Sequence, residues 1–364
     1  MILQTLEINH FRILESVKLD LHPALNLITG NNGSGKSSVL EAVQCLATGH
    51  SYRTRKPKEL INHKQESYRL LSVFNDKRSD RIHRAGLERF RNGVVNSRLD
   101  FEDVARQSEI TKLLPVKVLT PDSHELVTEA PETRRKYLDW GLFHVEPLFH
   151  DQWKNYRRAL SQRNVLLREN ASNGDIATWN APLAESATAI DRFRHHYIQE
   201  LYGYLKDRLG AMDLRFHVEL VYKPGWDTTM TLDEQLSKNL DNHRRMKTTT
   251  DGPHRADVAI ISEGVLARQV LSRGEQKVIA YALHLAQLDV LNKRTNNNAI
   301  VLCDDLRSEL DLYHSTALIE QLMAMDGQII LTGVNLDVFD DLSCGRFHMK
   351  HGCIETDYNQ ALPT

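Results

Sequence analysis

Eight consecutive residues, Gly30-Asn31-Asn32-Gly33-Ser34-Gly35-Lys36-Ser37, fit the pattern GxxxxGK[ST]. The chemistry such a run supports is phosphate binding. Glycines let the backbone turn its amides inward around phosphate oxygens, and a helix starting at Lys36 adds the positive end of its dipole. Lys36 is placed to reach the β- and γ-phosphates of a nucleotide. Ser37 offers a hydroxyl to Mg²⁺, with Ser38 beside it. A short pattern also occurs by chance, so its context decides. Residues 25–29, Leu-Asn-Leu-Ile-Thr, read as a buried strand feeding the turn. Residues 36 to about 47 read as a helix, with Gly49 as its stop.

A second acidic site lies far along the chain. Ile300-Val301-Leu302-Cys303-Asp304-Asp305 reads as a buried strand ending in two carboxylates. Solvated acids at a strand end are common, but beside a phosphate loop they take on roles. Asp304 would hold the Mg²⁺ shell and Asp305 would orient or deprotonate the attacking water. Between the two, Leu271-Ser272-Arg273-Gly274-Glu275-Gln276-Lys277 opens a long helix. Ser272 and Glu275 are spaced as a capping box. The same helix start, with a hydroxyl and a close-approach glycine, is also suited to an anion. It resembles the ABC signature, in which Ser272, Gly274 and Gln276 would meet the γ-phosphate held by an opposite subunit. Phosphate loop, signature and acidic strand follow in the order of that superfamily, so the implied cofactors are ATP and Mg²⁺. The usual second acid there is Glu; Asp305 is one methylene shorter, which implies slow hydrolysis.

These residues need an α/β scaffold, and the chain reads as one. Apolar–polar alternation in residues 2–8 and 17–21 predicts paired strands, and further strands are expected up to about residue 120. From about 133 to 169, and again from 183 to 209, apolar residues fall at helical spacing, predicting an antiparallel helical hairpin. Residues 211–222, with Leu214 and Phe216, return to strand alternation, and 232–246 is helical again. The last third predicts a strand at 258–261, a helix at 272–291, a strand at 299–303, a helix from about 313 and a strand at 328–332. The expected fold class is α/β: an ABC-type P-loop head, a mixed sheet with flanking helices, interrupted by an α-helical arm. The head is expected from residues 1–120 and 211–364 and the arm from 121–210, with the boundary open across 211–248.

The chain has 364 residues, 41% of them hydrophobic, enough for a sizeable core. No run of about 18 apolar residues predicts a membrane span, and the N-terminus does not read as a signal peptide. Four cysteines without CxxC spacing argue against a disulfide framework or zinc site and for a reducing, cytoplasmic setting. Seventeen histidines show no HExxH pattern. Net charge is −2, yet residues 51–100 hold thirteen Lys/Arg against six Asp/Glu. A solvated surface is one reading of that excess. DNA binding is the other, with Arg53, Arg55 and Lys56 as its densest cluster. Arg134, Arg135 and Lys136 read as a solvated helix face. Trp140, Trp153 and Tyr156 read as core rather than base-stacking platforms. His254 and Arg255 receive no role.

Three features separate the chain from transporter ATPases: SRGEQ in place of SGGQ, Thr332 where transporters carry histidine, and the long helical insertion. The whole chain instead resembles the RecF family. Asn9-His10-Phe11-Arg12 is similar to that family's N-terminal arginine motif, which implies that Arg12 approaches the phosphates. Pro121-Asp122 with Pro131-Glu132-Thr133-Arg134-Arg135-Lys136-Tyr137-Leu138-Asp139 is similar to its central signature. Gly252-Pro253-His254-Arg255 resembles its GPHR segment, and Asp304-Asp305-Leu306-Arg307-Ser308-Glu309-Leu310-Asp311 its acidic strand and D-loop. Glu129 and Ala256 depart from the pattern, while Asp257 keeps it. Lys117 stands near the usual Q-loop glutamine, so no Q-loop residue is assigned. The resemblance implies an SMC-like head with a short arm, and an ATP-dependent homodimer. It also implies binding to double-stranded and gapped or single-stranded DNA, and RecA loading with RecR and RecO. Two other readings compete: another SMC-like ATPase of genome maintenance or phage defence, and an ATP-binding scaffold that does not hydrolyse. Intact Lys36, Ser37, Asp304 and Asp305 argue against the scaffold.

Overall fold

The computed structural model describes residues 1–212, 217–305, 312–334, 336, 339 and 342–357. The expected strand positions Leu214 and Phe216, and the D-loop positions Leu306 to Asp311, lie outside the described residues. The chain divides into two compact units, residues 1–123 with 291–364, and residues 124–290. The second unit thus runs beyond the 121–210 expected for the arm.

The first unit holds two six-stranded sheets. One is antiparallel, in the order Leu14–Asp20, Ile2–Phe11, Ser67–Asp76, Arg81–Phe90, Val95–Leu99, Glu102–Asp103. The other runs Cys353–Asp357, Gly345–Lys350, Leu25–Gly30, Ile329–Gly333, Ile300–Asp304, Val116–Leu119. Its strands pair in parallel except at the Gly345–Lys350/Cys353–Asp357 hairpin. The helix Lys36–Thr48 packs between the sheets. Its Val39, Leu40, Val43 and Leu46 are buried in one core with Leu6 and Ile8 of the first sheet and Ile28, Leu302 and Ile330 of the second. Each such side chain contributes about 1.5–3 kcal/mol by leaving water. That packing sets the helix start at the ends of Leu25–Gly30 and Ile300–Asp304, two parallel strands separated by Ile329–Gly333, where the phosphate loop and the acids meet.

The second unit holds the helices Pro131–Val145, Phe149–Arg168 and Asn180–Gly210, and a three-stranded sheet of Val265–Leu266, Asp257–Ser262 and Val218–Lys223. Phe149–Arg168 and Asn180–Gly210 pack on each other as the expected hairpin. The single helix expected over 133–169 is two. Glu146 precedes Pro147 and takes an extended conformation (φ −118°, ψ 103°), which ends the first helix. The helix expected over 232–246 is also two, Leu232–Lys238 and Leu240–Met246, parted at Asn239.

The solvated face expected for Arg134 and Arg135 is corrected by this unit. Arg134 is buried and ion-pairs with Asp257 (2.7 Å), and it donates to the Glu129 carbonyl (2.7 Å). Arg135 donates to the Ala256 carbonyl (2.7 Å). Lys136 alone is exposed, paired with Glu132 one turn back. His254 is structural: its ring bonds the Tyr156 hydroxyl (2.6 Å) and the Thr249 carbonyl (3.0 Å). Tyr156 is buried, and Trp153 stacks between Phe149 and Tyr156 under the Arg194 guanidinium.

Candidate nucleotide site

The strand Leu25–Gly30 delivers the chain into the loop at Gly30, whose φ of 145° suits glycine. A Cβ there would overlap the Met349 carbonyl oxygen on the neighbouring strand, so the strand end and loop sit flush only with glycine. The loop closes with Ser34 N–H donating to Asn31 O (3.1 Å). The helix beginning at Lys36 has no side-chain cap and no acid in its first turn. Its positive end is therefore left for an anion. Ser34 Oγ is buried in the loop without a protein partner, a polar atom suited to a phosphate oxygen.

Lys36 folds back over the loop, and its Nζ donates to the carbonyls of Gly30 (2.6 Å) and Asn31 (3.0 Å). Burial lowers its pKa, against the pull of Asp305 and Asp304. Such an ammonium gains a full charge partner when phosphates arrive.

Asp304 stands at the centre of the site. The parallel register sets Asp304 beside Thr332, and Thr332 beside Ile28, two residues before the phosphate loop. Ser37 Oγ donates to Asp304 Oδ1 (2.8 Å), and Thr332 Oγ1 donates to the same oxygen (2.8 Å). The Tyr52 hydroxyl donates to Oδ2 (3.0 Å). Burial, with Asp304 beside it, pushes the Tyr52 phenol far up, so the group stays a donor. Asp305 takes a left-handed backbone (φ 47°), and its N–H donates to Thr332 Oγ1 (3.2 Å). A hydroxyl and a carboxylate oxygen 2.8 Å apart, both hard oxygen donors, fit a Mg²⁺ ion on Ser37 and Asp304.

Arg12 lies near the same helix but is already engaged. It has a left-handed backbone (φ 53°), and its Nε and Nη2 bond both oxygens of Glu41 (2.5 and 2.7 Å). Glu41 is 0% exposed and also receives Ser51 Oγ and, at 3.5 Å, Arg53 Nη1. The Glu41 hydrogen bond raises the Arg12 pKa. The phosphate approach expected of Arg12 would therefore require it to leave Glu41.

Of the expected DNA contacts, Arg53 is 43% exposed and tied to Glu41, and Lys56 is 81% exposed with Glu59 at 3.4 Å. Arg55 is exposed. Much of the remaining basic stretch is committed within the first unit: Arg78 to Asp76, Arg98 to Asp103, Arg89 to the Gly49 carbonyl, and Arg91 to those of Gln65 and Asn62.

Ser272, Gly274 and Gln276 belong to the second unit. The capping box forms: Ser272 N–H donates to Glu275 (2.7 Å), and Glu275 N–H to Ser272 Oγ (3.3 Å). Gln276 is buried and donates to the Leu271 carbonyl, whereas Ser272 and Gly274 are exposed at the start of the helix Arg273–Thr295. Lys117, on the edge strand Val116–Leu119, is buried, and burial pushes its ammonium down to about 7. Tyr52, Glu41 and the Thr332 bonds were not foreseen. They join residues distant in sequence, and no local spacing announces them.

Residues 2–351 match the family model of the RecF/RecN/SMC N-terminal domain. A DNA replication and repair protein RecF of Shewanella baltica (strain OS185) is 36% identical over 356 residues, spanning 97% of this chain and 98% of that protein. The RecF protein of Shewanella sp. (strain W3-18-1) is also 36% identical over the same shares. Among solved structures, that of the recombination mediator protein RecF with ATP in the RecFOR pathway aligns with a TM-score of 0.88 at 25% identity, covering 97% of both chains. An Smc head bound to the C-winged helix domain of ScpA aligns with a TM-score of 0.63 at 13% identity and shares the fold alone. Both the ABC-type ATPase head and its helical insertion are thus those of this fold group. Among the described residues, no helix is long and apolar enough to cross a membrane.

Proposed function

The chain belongs to the RecF family, and from that premise we propose that it is an ATP-switched DNA-binding mediator of recombination and repair. It is a RecF-type DNA replication and repair protein that binds ATP through an ABC-type head. The observation that carries the nucleotide reading is the meeting of Ser37 Oγ and Asp304 Oδ1 at 2.8 Å, below an uncapped helix start and the folded-back Lys36.

The nucleotide roles build on that geometry, and the dimer, DNA and partner roles on the family resemblance. The loop amides of residues 30–35 and the helix end receive phosphate oxygens. Lys36 exchanges two carbonyl partners for the β- and γ-phosphates, the stronger, charge-assisted bonds. Ser37 and Asp304 would hold Mg²⁺, which would supply positive charge to offset that of the nucleotide's phosphates. Asp305 orients the attacking water; its short side chain makes turnover slow. Ser272, Gly274 and Gln276 complete the γ-phosphate site of a second copy, so that ATP clamps two chains and hydrolysis releases them. Arg53, Arg55 and Lys56 contact DNA phosphates, with little sequence readout. The dimer binds gapped or junction DNA and, with RecR and RecO, helps load RecA in the cytoplasm.

ATP turnover and sedimentation, each measured with and without gapped DNA, test this reading. An ATP-dependent dimer with slow turnover that responds to DNA supports it. Nucleotide binding without turnover in any condition would favour a scaffold.

A further inference from the structure

The turn after the phosphate-loop helix touches both the acidic strand and the surface proposed to meet DNA. Tyr52 donates to Asp304 Oδ2 (3.0 Å) and lies 3.4 Å from the Ser37 carbonyl oxygen. Asp304 is held by three hydroxyls. Ser37 and Thr332 come from the phosphate loop and the neighbouring strand, whereas Tyr52 comes from the basic turn.

That turn is braced at Ser51 and Thr54. Ser51 Oγ donates to the buried Glu41 and accepts the N–H groups of Arg53 (2.9 Å) and Thr54 (3.1 Å). Thr54 Oγ1 donates to Glu59 (2.7 Å) and accepts from Lys56 N–H (3.1 Å). Lys56 Nζ is 3.4 Å from Glu59. A polyanion that draws Arg55 and Lys56 outward competes with Glu59 and loads the Thr54 bonds. The hydrogen bonds of Thr54 and Ser51 give that load a route towards Tyr52, which lies between Ser51 and Arg53.

We propose that Tyr52 is a positioning residue linking polyanion binding at Arg55 and Lys56 to the setting of the metal-binding carboxylate Asp304. The link rests on the nucleotide and DNA reading above and specifies its regulation. Linkage is reciprocal: if DNA changes the affinity for cation and nucleotide, cation and nucleotide change the affinity for DNA by the same factor. The linked affinities should differ on the order of tenfold, the usual range for such coupling.

Mn²⁺ serves as the probe, its affinity for the full-length protein measured by electron paramagnetic resonance with a slowly hydrolysed ATP analogue. Tyr52→Phe keeps the ring and removes only the hydroxyl. Without DNA, the variant should shift Mn²⁺ affinity severalfold; an unchanged affinity overturns the positioning role. With gapped DNA, Mn²⁺ affinity of the unmodified protein should shift about tenfold, and in Tyr52→Phe this shift should vanish while nucleotide-free DNA binding persists. Thr54→Ala, which cuts the brace between Tyr52 and Lys56, should shrink the shift in the same way. A full shift in Tyr52→Phe, or DNA and Mn²⁺ binding that are independent in the unmodified protein, overturns the link. If the protein binds no DNA at all, the DNA reading itself fails, and the DNA-free comparison still decides whether Tyr52 positions Asp304.

Discussion

The double variant Arg55→Ala/Lys56→Ala tests the proposed DNA surface while leaving the buried Glu41 anchor of the turn intact. Arg53 is left intact because it sits on the buried Glu41, and its loss would loosen the turn as well as remove a charge. Lys56 has only the exposed Glu59 to give up, a pair of the kind worth about 0–1 kcal/mol. Both Arg55 and Lys56 are exposed and able to meet phosphates. Each phosphate neutralised releases condensed counterions and contributes about 0.9 to the slope of log affinity against log salt on duplex DNA. Removing both cations should flatten the slope by about 1.8 per protomer. Between roughly 50 and 200 mM salt, the affinity of the unmodified protein should therefore fall about twelvefold more steeply per protomer than that of the variant. Fluorescence anisotropy with a gapped duplex and an ATP analogue, titrated at several salt concentrations, reads this directly. ATP-driven dimerisation without DNA should be unaffected. An unchanged slope would show that these two side chains touch no phosphate and that the excess of charge in residues 51–100 is a solvated face.

Three further outcomes follow from the sites described. Lys36→Ala removes the cation over the phosphate loop and should weaken ATP binding on the order of a hundredfold or more, as measured with a fluorescent analogue, because a charge pair at about 4 Å is worth several kcal/mol near a protein surface; near-native affinity would contradict the role. Asp305→Asn keeps the side-chain size but loses the charge proposed to orient water, so ATP binding should persist while single-turnover hydrolysis slows and the proposed ATP-bound dimer should become longer-lived. His254 is held neutral by burial, which lowers its pKa from 6.5 to about 4. The unfolded chain then takes up the proton first, so stability falls as pH drops from about 6.5 towards 4; urea unfolding at pH 7 and pH 5 should show a smaller difference in His254→Asn than in the unmodified protein.

The parts legible in the sequence were those whose chemistry is contiguous. The phosphate loop, the acidic strand end and the signature each announce themselves within eight residues, and the strands and helix that carry them have clean periodicity. The break at Pro147 was missed, because apolar residues keep helical spacing on both sides of it, although the residue type disfavours a continuous helix there. What escaped was polar burial on helices. Arg134, Tyr137, Leu138 and Gly141 are all buried along one helix, at spacings of three and four. That is the core stripe of an amphipathic helix, and the charge of Arg134 disguised its first position. Arg163 and Arg194 occupy buried stripes in the same manner and are wholly shielded from water. Such side chains are tolerated only where partners satisfy them, as Asn180, Thr249 and His243 do for Arg163 and Asp139 for Arg194. Those partners lie far off in sequence. The same holds for Tyr52 on Asp304 and Arg12 on Glu41: through-space bonds between residues that no spacing rule connects.

The central claim is that ATP joins two copies of this chain through the signature helix. Equilibrium sedimentation with ATP and Mg²⁺ tests it most directly, on the unmodified protein and on Ser272→Arg. Ser272 is exposed at the helix start, so arginine is accommodated in the monomer yet sets a bulky side chain where the partner's γ-phosphate would lie. The account predicts a nucleotide-dependent dimer for the unmodified protein, and a variant that binds ATP but stays monomeric. No dimer under ATP in the unmodified protein, or a variant that dimerises equally well, would contradict it and leave Ser272 as a helix cap.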